Sequence, residues 1–160
     1  MGSASRVLAA VGVGMALVLA AVPASAKDSP KCKVLTIHAT NKEGASAPAL
    51  EGIPELKKEP FSLYKTFHLL AEKEYAMVQD VPVQLSLPAS SGLSAKLIWK
   101  GMNPALKELN FKLSLVKGTG KDQKEEVTSF AVHGKAPFFY VRPFKEGKLI
   151  LYIRCGTGSD

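Results

Sequence analysis

Little in this chain suits the familiar routes to catalysis. It has two cysteines, Cys32 and Cys155, and three histidines, His38, His68 and His133, which fall on separate segments. No Cys/His/Asp group has the spacing of a zinc site, no loop gathers the Asp and Asn oxygens that calcium needs, and no Gly-x-Ser-x-Gly elbow occurs. Adjacent acids such as Glu125 and Glu126 point to opposite faces of a strand, so they cannot face each other across a glycosidic bond. Lys117-Gly118-Thr119-Gly120-Lys121 lacks the spacing and the following helix of a phosphate loop, and reads as a solvated hairpin tip. No metal, cofactor or catalytic residue is assigned.

Arginine is also scarce. Of 21 Lys and Arg residues only Arg6, Arg142 and Arg154 are Arg, although the chain carries a formal charge of +7. Lysine scattered over a surface solubilises, whereas specific phosphate or carboxylate recognition favours the planar guanidinium fork. The charge is therefore compatible with an anionic envelope polymer or a protein partner; nucleic acid is not expected, since it would need exposed rings beside a basic stripe and the N-terminus points to export. Internal repeats and low-complexity segments are absent. Long apolar runs are confined to the N-terminus, where Val7–Val22 follows Arg6 and precedes the small-x-small sequence Ala24-Ser25-Ala26. That is the layout of a signal peptide cut after Ala26. The run is short for a membrane span and contains Gly12 and Gly14, so no span is expected after cleavage. Residues 1–26 are thus assigned to the leader and 27–160 to one mostly-β domain, periplasmic or secreted.

Export places the two thiols in an oxidising compartment, where they are expected to pair with each other and so not to act as nucleophiles. Cys32 opens the first strand, Lys33–Thr40, and Cys155 closes the last, Lys148–Arg154, the most apolar run after the leader. Their parities disagree. Cys155 shares a face with Leu149, Leu151 and Ile153, while Cys32 shares one with Val34, Thr36 and His38 and not with Leu35 and Ile37. A bulge near Cys32 would reconcile them.

Between these strands the pattern is mainly period two. Leu109, Phe111, Leu113 and Leu115 alternate with polar residues; Leu93, Ala95, Leu97 and Trp99 do the same, with Trp99 facing the core. Pro54–Glu59 starts with Pro and ends before Pro60, which suits one short helix with Ile53 and Leu56 inward. Residues 62–74 fit either a strand over Tyr64–Leu70 or a helix that would put His68 and Glu72 on one face; the alternation favours the strand. Seven or eight short strands with turns between them imply an all-β domain, an antiparallel β-sandwich or small barrel, with one short helix after the first strand.

The segments Val34–Asn41, Ile53–Leu56 and Pro60–Leu70 together resemble a group of uncharacterised exported bacterial proteins. The resemblance covers about the first third of the mature chain, implies export and a mostly-β domain, and brings no activity with it.

One stretch stands out as a candidate binding strip. Phe138, Phe139, Tyr140, Arg142 and Phe144 put aromatics on both faces of a strand flanked by Pro137 and Pro143, as at a sheet edge open to a partner. The Lys-rich hairpin 117–124 is a second candidate. The chain therefore reads as an exported, non-catalytic binding or structural module of the bacterial envelope that contacts a protein or an anionic component. The alternatives are a small secreted hydrolase or metal-dependent enzyme with a loop-built site, and a small-ligand carrier if the domain closes into a barrel.

Overall fold

The computed structural model describes residues 29–158; the expected leader over 1–26 lies outside them. Eight strands form two four-stranded antiparallel sheets. They are β1 (Pro30–Thr40), β2 (Thr66–Ala76), β3 (Val83–Leu85), β4 (Leu93–Asn103), β5 (Glu108–Lys117), β6 (Lys124–His133), β7 (Phe138–Phe144) and β8 (Gly147–Thr157). The first sheet runs β2-β1-β8-β7 and the second β3-β4-β5-β6. The sheets do not join into a closed barrel, and the arrangement is sandwich-like.

The alternating strands place their apolar residues as period two requires. Leu109, Phe111, Leu113 and Leu115 of β5 and Ala95, Leu97 and Trp99 of β4 are buried. Opposite them lie Cys32 and Val34 of β1 and Leu151, Ile153 and Cys155 of β8, in one continuous core. Side chains such as Ile153 and Leu113, with no exposed surface, each stabilise the fold by roughly 1.5–3 kcal/mol through burial.

Cys32 and Cys155 are direct cross-strand partners joined by a disulfide, with Cα atoms 4.1 Å apart. No bulge separates them: β1 and β8 stay in uninterrupted register from Pro30 opposite Thr157 to Thr40 opposite Gly147. The parity conflict has a different origin, because the first sheet is buried on both faces. Its second face carries Leu35, Ile37, Ala39, Ile150 and Tyr152, covered by Leu50, Ile53, Leu56 and Phe61 from the β1–β2 connection. The one irregularity in β1 falls at Thr36/Ile37, in its pairing with β2.

The expected short helix is replaced by three 3-10 turns, Pro48–Leu50, Pro54–Lys57 and Phe61–Leu63. Only five residues separate Pro54 from Pro60, too few to offset the cost of nucleating an α-helix. Burial of Leu56 and Phe61 fixes these turns instead. The strand favoured over Tyr64–Leu70 is present but shifted, starting at Thr66 and running on to Ala76, and β8 extends two residues past Cys155 to Thr157. No helix among the described residues is long and apolar enough to cross a membrane.

The four edges are each blunted. β3 has three residues, β7 carries Pro143, and β2 and β6 expose Glu72-Lys73-Glu74 and Lys124-Glu125-Glu126. At the β7–β8 turn, Gly147 lies so close to β1 that a Cβ there would be 1.9 Å from the Ala39 carbonyl oxygen.

The disulfide closes a loop of 123 residues, for which chain entropy gives on the order of 4–5 kcal/mol before native-state strain and residual structure reduce it. Replacing both cysteines by Ala is expected to cost about 3 kcal/mol, a fall in Tm of about 10 °C for a domain this size. Thermal unfolding of the oxidised protein against the double variant measures this; a shift below about 2 °C would mean the staple contributes nothing.

Candidate functional site

The aromatic strip is wired into the two sheets. Phe138 stacks on Phe130 of β6 at 3.7 Å between ring centroids, and Phe130 stacks in turn on Phe111 at 5.5 Å. Phe139 points the other way, against Phe61 at 4.9 Å and Tyr152 at 5.3 Å. The Tyr140 hydroxyl donates to Glu126 Oε1 at 2.7 Å, and Arg142 Nη1 donates to Glu126 Oε2 at 3.1 Å. Phe144 is buried edge-on against His38 at 5.0 Å. Phe138, Phe139 and Tyr140 are half-buried, and all five residues have partners within the chain. Burial, then the bond to Glu126, pushes the Tyr140 phenol up to about 12, with Arg142 pulling the other way. These contacts fasten the outer strand of one sheet to the outer strand of the other.

The histidines divide. His38 of β1 and His68 of β2 face each other across the ladder, ring centroids 6.1 Å apart, and His133 sits at the opposite end of the molecule beside Met102 and Lys107. Register across the Thr36/Ile37 irregularity brings the first two together, which no spacing in the sequence announces. They line an open depression of about 360 Å³ with Thr40, Lys42, Glu43, Lys145 and Glu146. Lys42 pairs with Glu146 and Lys65 with Glu43 around its rim. His38 Nε2 and Thr40 Oγ1 are buried there without a hydrogen-bond partner. Burial, aided by His68 and Lys145, holds the His38 imidazole below its ordinary range, against the Phe144 carbonyl and Glu146. Among the described residues, no group of three or more His, Cys, Asp or Glu side chains is placed to hold a metal ion.

A second depression, of about 350 Å³, lies over the disulfide. Lys31 and Lys33 of β1, Arg154 of β8 and Lys135 of the β6–β7 turn surround it, with Glu74 the one acid among the described residues of its wall. The bases have a simple cause. The second face of the first sheet is apolar only as far as the 3-10 cover reaches; past Leu35 and Tyr152 the same parity passes to Lys33, Lys31 and Arg154, which face water. Lys33 pairs with Glu72, which holds its amine above the ordinary lysine range against the effect of burial. No ion pair among the described residues involves Lys31 or Arg154. The Lys-rich hairpin at 117–124 is exposed at the other end of the molecule.

No known family model, curated protein or solved structure matches the chain.

The unfolded chain binds a proton at His38 more readily than the folded one, because the folded pKa is depressed. The contribution to stability is constant above a pH of about 6.5, the ordinary histidine value. It is lost as pH falls below that through the folded pKa. Tm followed from pH 7.5 down to pH 5 is expected to fall less steeply in His38→Gln than in the parent; parallel curves would show that His38 is not the responsible group.

Proposed function

We propose that this chain is an exported, non-catalytic binding module of the bacterial envelope, and that it contacts an anionic component through the basic depression over the disulfide. The observation that carries this reading is the convergence of Lys31, Lys33, Lys135 and Arg154 on one open hollow with a single acid among the described residues of its wall. Its base is the firmest part of the molecule, two strands in register and a covalent bond between them. Fixed backbone under mobile Lys and Arg heads suits a ligand with repeated negative charge, since such side chains adapt to spacing while their stems stay anchored. The sandwich-like form of the two sheets fits a module of this kind. The aromatic strip supports it less, its rings and polar groups being engaged within the fold. The carrier alternative required a closed barrel, which the two separate sheets do not make.

A soluble polyanion such as polyphosphate serves as probe. The protein is expected to bind it with an affinity that falls as salt is added. Reversing two exposed charges in Lys31→Glu/Arg154→Glu should weaken it about ten-fold, at roughly 0.2–1 kcal/mol per exposed contact. Equal weakening by Lys117→Glu/Lys121→Glu, at the other end, would show general attraction to a basic protein and not a site.

The alternative, a small hydrolase or metal-dependent enzyme, has one observation in its favour: the unpartnered His38 Nε2 opposite His68. That reading expects zinc, added to the protein at neutral pH, to shift the ring resonances of His38 and His68 together. Unmoved resonances at a large excess of zinc would end it.

A further inference from the structure

The end of the molecule that carries the basic hollow also carries most of its exposed apolar loop residues. Here the chain enters β1 at Pro30 and leaves β8 at Thr157, directly opposite each other. The β2–β3, β4–β5 and β6–β7 connections turn at the same end. Val78 and Val81 on the first of these loops are 58% and 49% exposed, and Met102 and Leu106 near the second are 48% and 55% exposed. The two loops are neighbours. The Asp80 amide donates to the Trp99 carbonyl at 2.8 Å, Lys100 pairs with Asp80, and the Met77 amide donates to the Pro30 carbonyl at 2.9 Å. The other large exposed apolar residues, Leu63, Leu70, Val127 and Val141, are scattered over four other elements.

We propose that this end docks on the surface of an anionic lipid bilayer, Met102, Leu106, Val78 and Val81 entering the interface while the surrounding bases meet the headgroups. The inference rests on the anion-binding reading above and names its partner. Three features favour lipid over the other anionic or protein surfaces. Against a polyphosphate or a charged glycan the four apolar side chains would stay in water, with nothing gained from their exposure. Against a protein, the core of the contact should be aromatic and poor in lysine; here no tip is aromatic, three of the four are aliphatic, and Lys107 directly follows Leu106. A bilayer interface takes apolar tips and lysine stems together, because the stem lies along the apolar region while the ammonium reaches the phosphates. Of the described acids at this end Glu72 pairs with Lys33 and Asp80 with Lys100, while Glu74 faces the hollow and Glu108 follows Lys107, so the bases outnumber the acids left to oppose them.

The test is flotation of the protein, as recovered after export, with phosphatidylcholine vesicles that either contain or lack phosphatidylglycerol, alongside polyphosphate binding. The expected result is flotation with phosphatidylglycerol only, reversed by high salt. Met102→Ser/Leu106→Ser should weaken vesicle binding about ten-fold and leave polyphosphate binding unchanged. Lys31→Glu/Arg154→Glu should weaken both, polyphosphate binding by the roughly ten-fold given above and vesicle binding by about five-fold per lost contact, and Leu63→Ser should alter neither. All of these residues are on the surface, and unchanged melting temperatures verify that the variants fold. Equal flotation with neutral vesicles, or full vesicle binding by the Ser variant, overturns the lipid assignment. Binding of polyphosphate without flotation rejects the lipid and leaves the anion-binding reading standing. Absence of both removes the two together.

Discussion

The pairing of β1 with β8 is the constraint from which the rest of the molecule follows. Two eleven-residue strands from opposite ends of the domain lie side by side in unbroken register, apolar on both faces over most of their length. A ribbon of that kind cannot leave either face to water, so it requires two covers. The second sheet supplies one. The 3-10 turns of the β1–β2 connection supply the other, held by the side chains they bury and tied to β2 where the Ala47 amide donates to the Phe67 carbonyl at 2.9 Å. Sequence-distant pairing of this sort has a high loop-closure cost, and the disulfide removes part of that cost from the unfolded side of the balance.

Strand periodicity made much of this legible. The alternation of Leu109 to Leu115 and of Leu93 to Trp99 located β5 and β4, and two cysteines at the margins of two apolar strands located the staple. The mismatch of parity at Cys32 was a true signal with a different cause. A strand that looks buried on the wrong face belongs to a sheet buried on both, and nothing local to the strand says where its second cover comes from. Pro54–Lys57 illustrates the opposite failure, since its proline and acids suit a helix start but the segment is too short to continue as one. Aromatic content was a poor guide to exposure. Phe138 and Phe139 leave the same strand in opposite directions and each finds other rings, because β7 is an outer strand that has to be attached both to the second sheet and to the 3-10 cover.

The candidate sites were less legible than the fold, and for a physical reason. The hollow over the disulfide draws on β1, β8 and the β6–β7 turn, and the two facing histidines depend on register across an irregularity. Both are products of cross-strand neighbourhood, which strand-to-strand pairing creates and linear spacing does not record. The two ends of the sandwich differ accordingly. At the β7–β8 end Lys42 and Lys65 are matched by Glu146 and Glu43. The same end also carries the exposed 117–124 hairpin, so what sets the other end apart is that Lys31 and Arg154 share it with the exposed side chains of Val78, Val81, Met102 and Leu106.

Because Pro30 and Thr157 are opposite one another and the sulfur bridge lies two residues inside them, tension between the flanking segments would run from one strand to the other through a covalent bond. The hydrogen-bonded ladders and the apolar interior would carry almost none of that load. Such a domain behaves toward its flanks as a short inextensible link, able to sit in a pulled tether without opening.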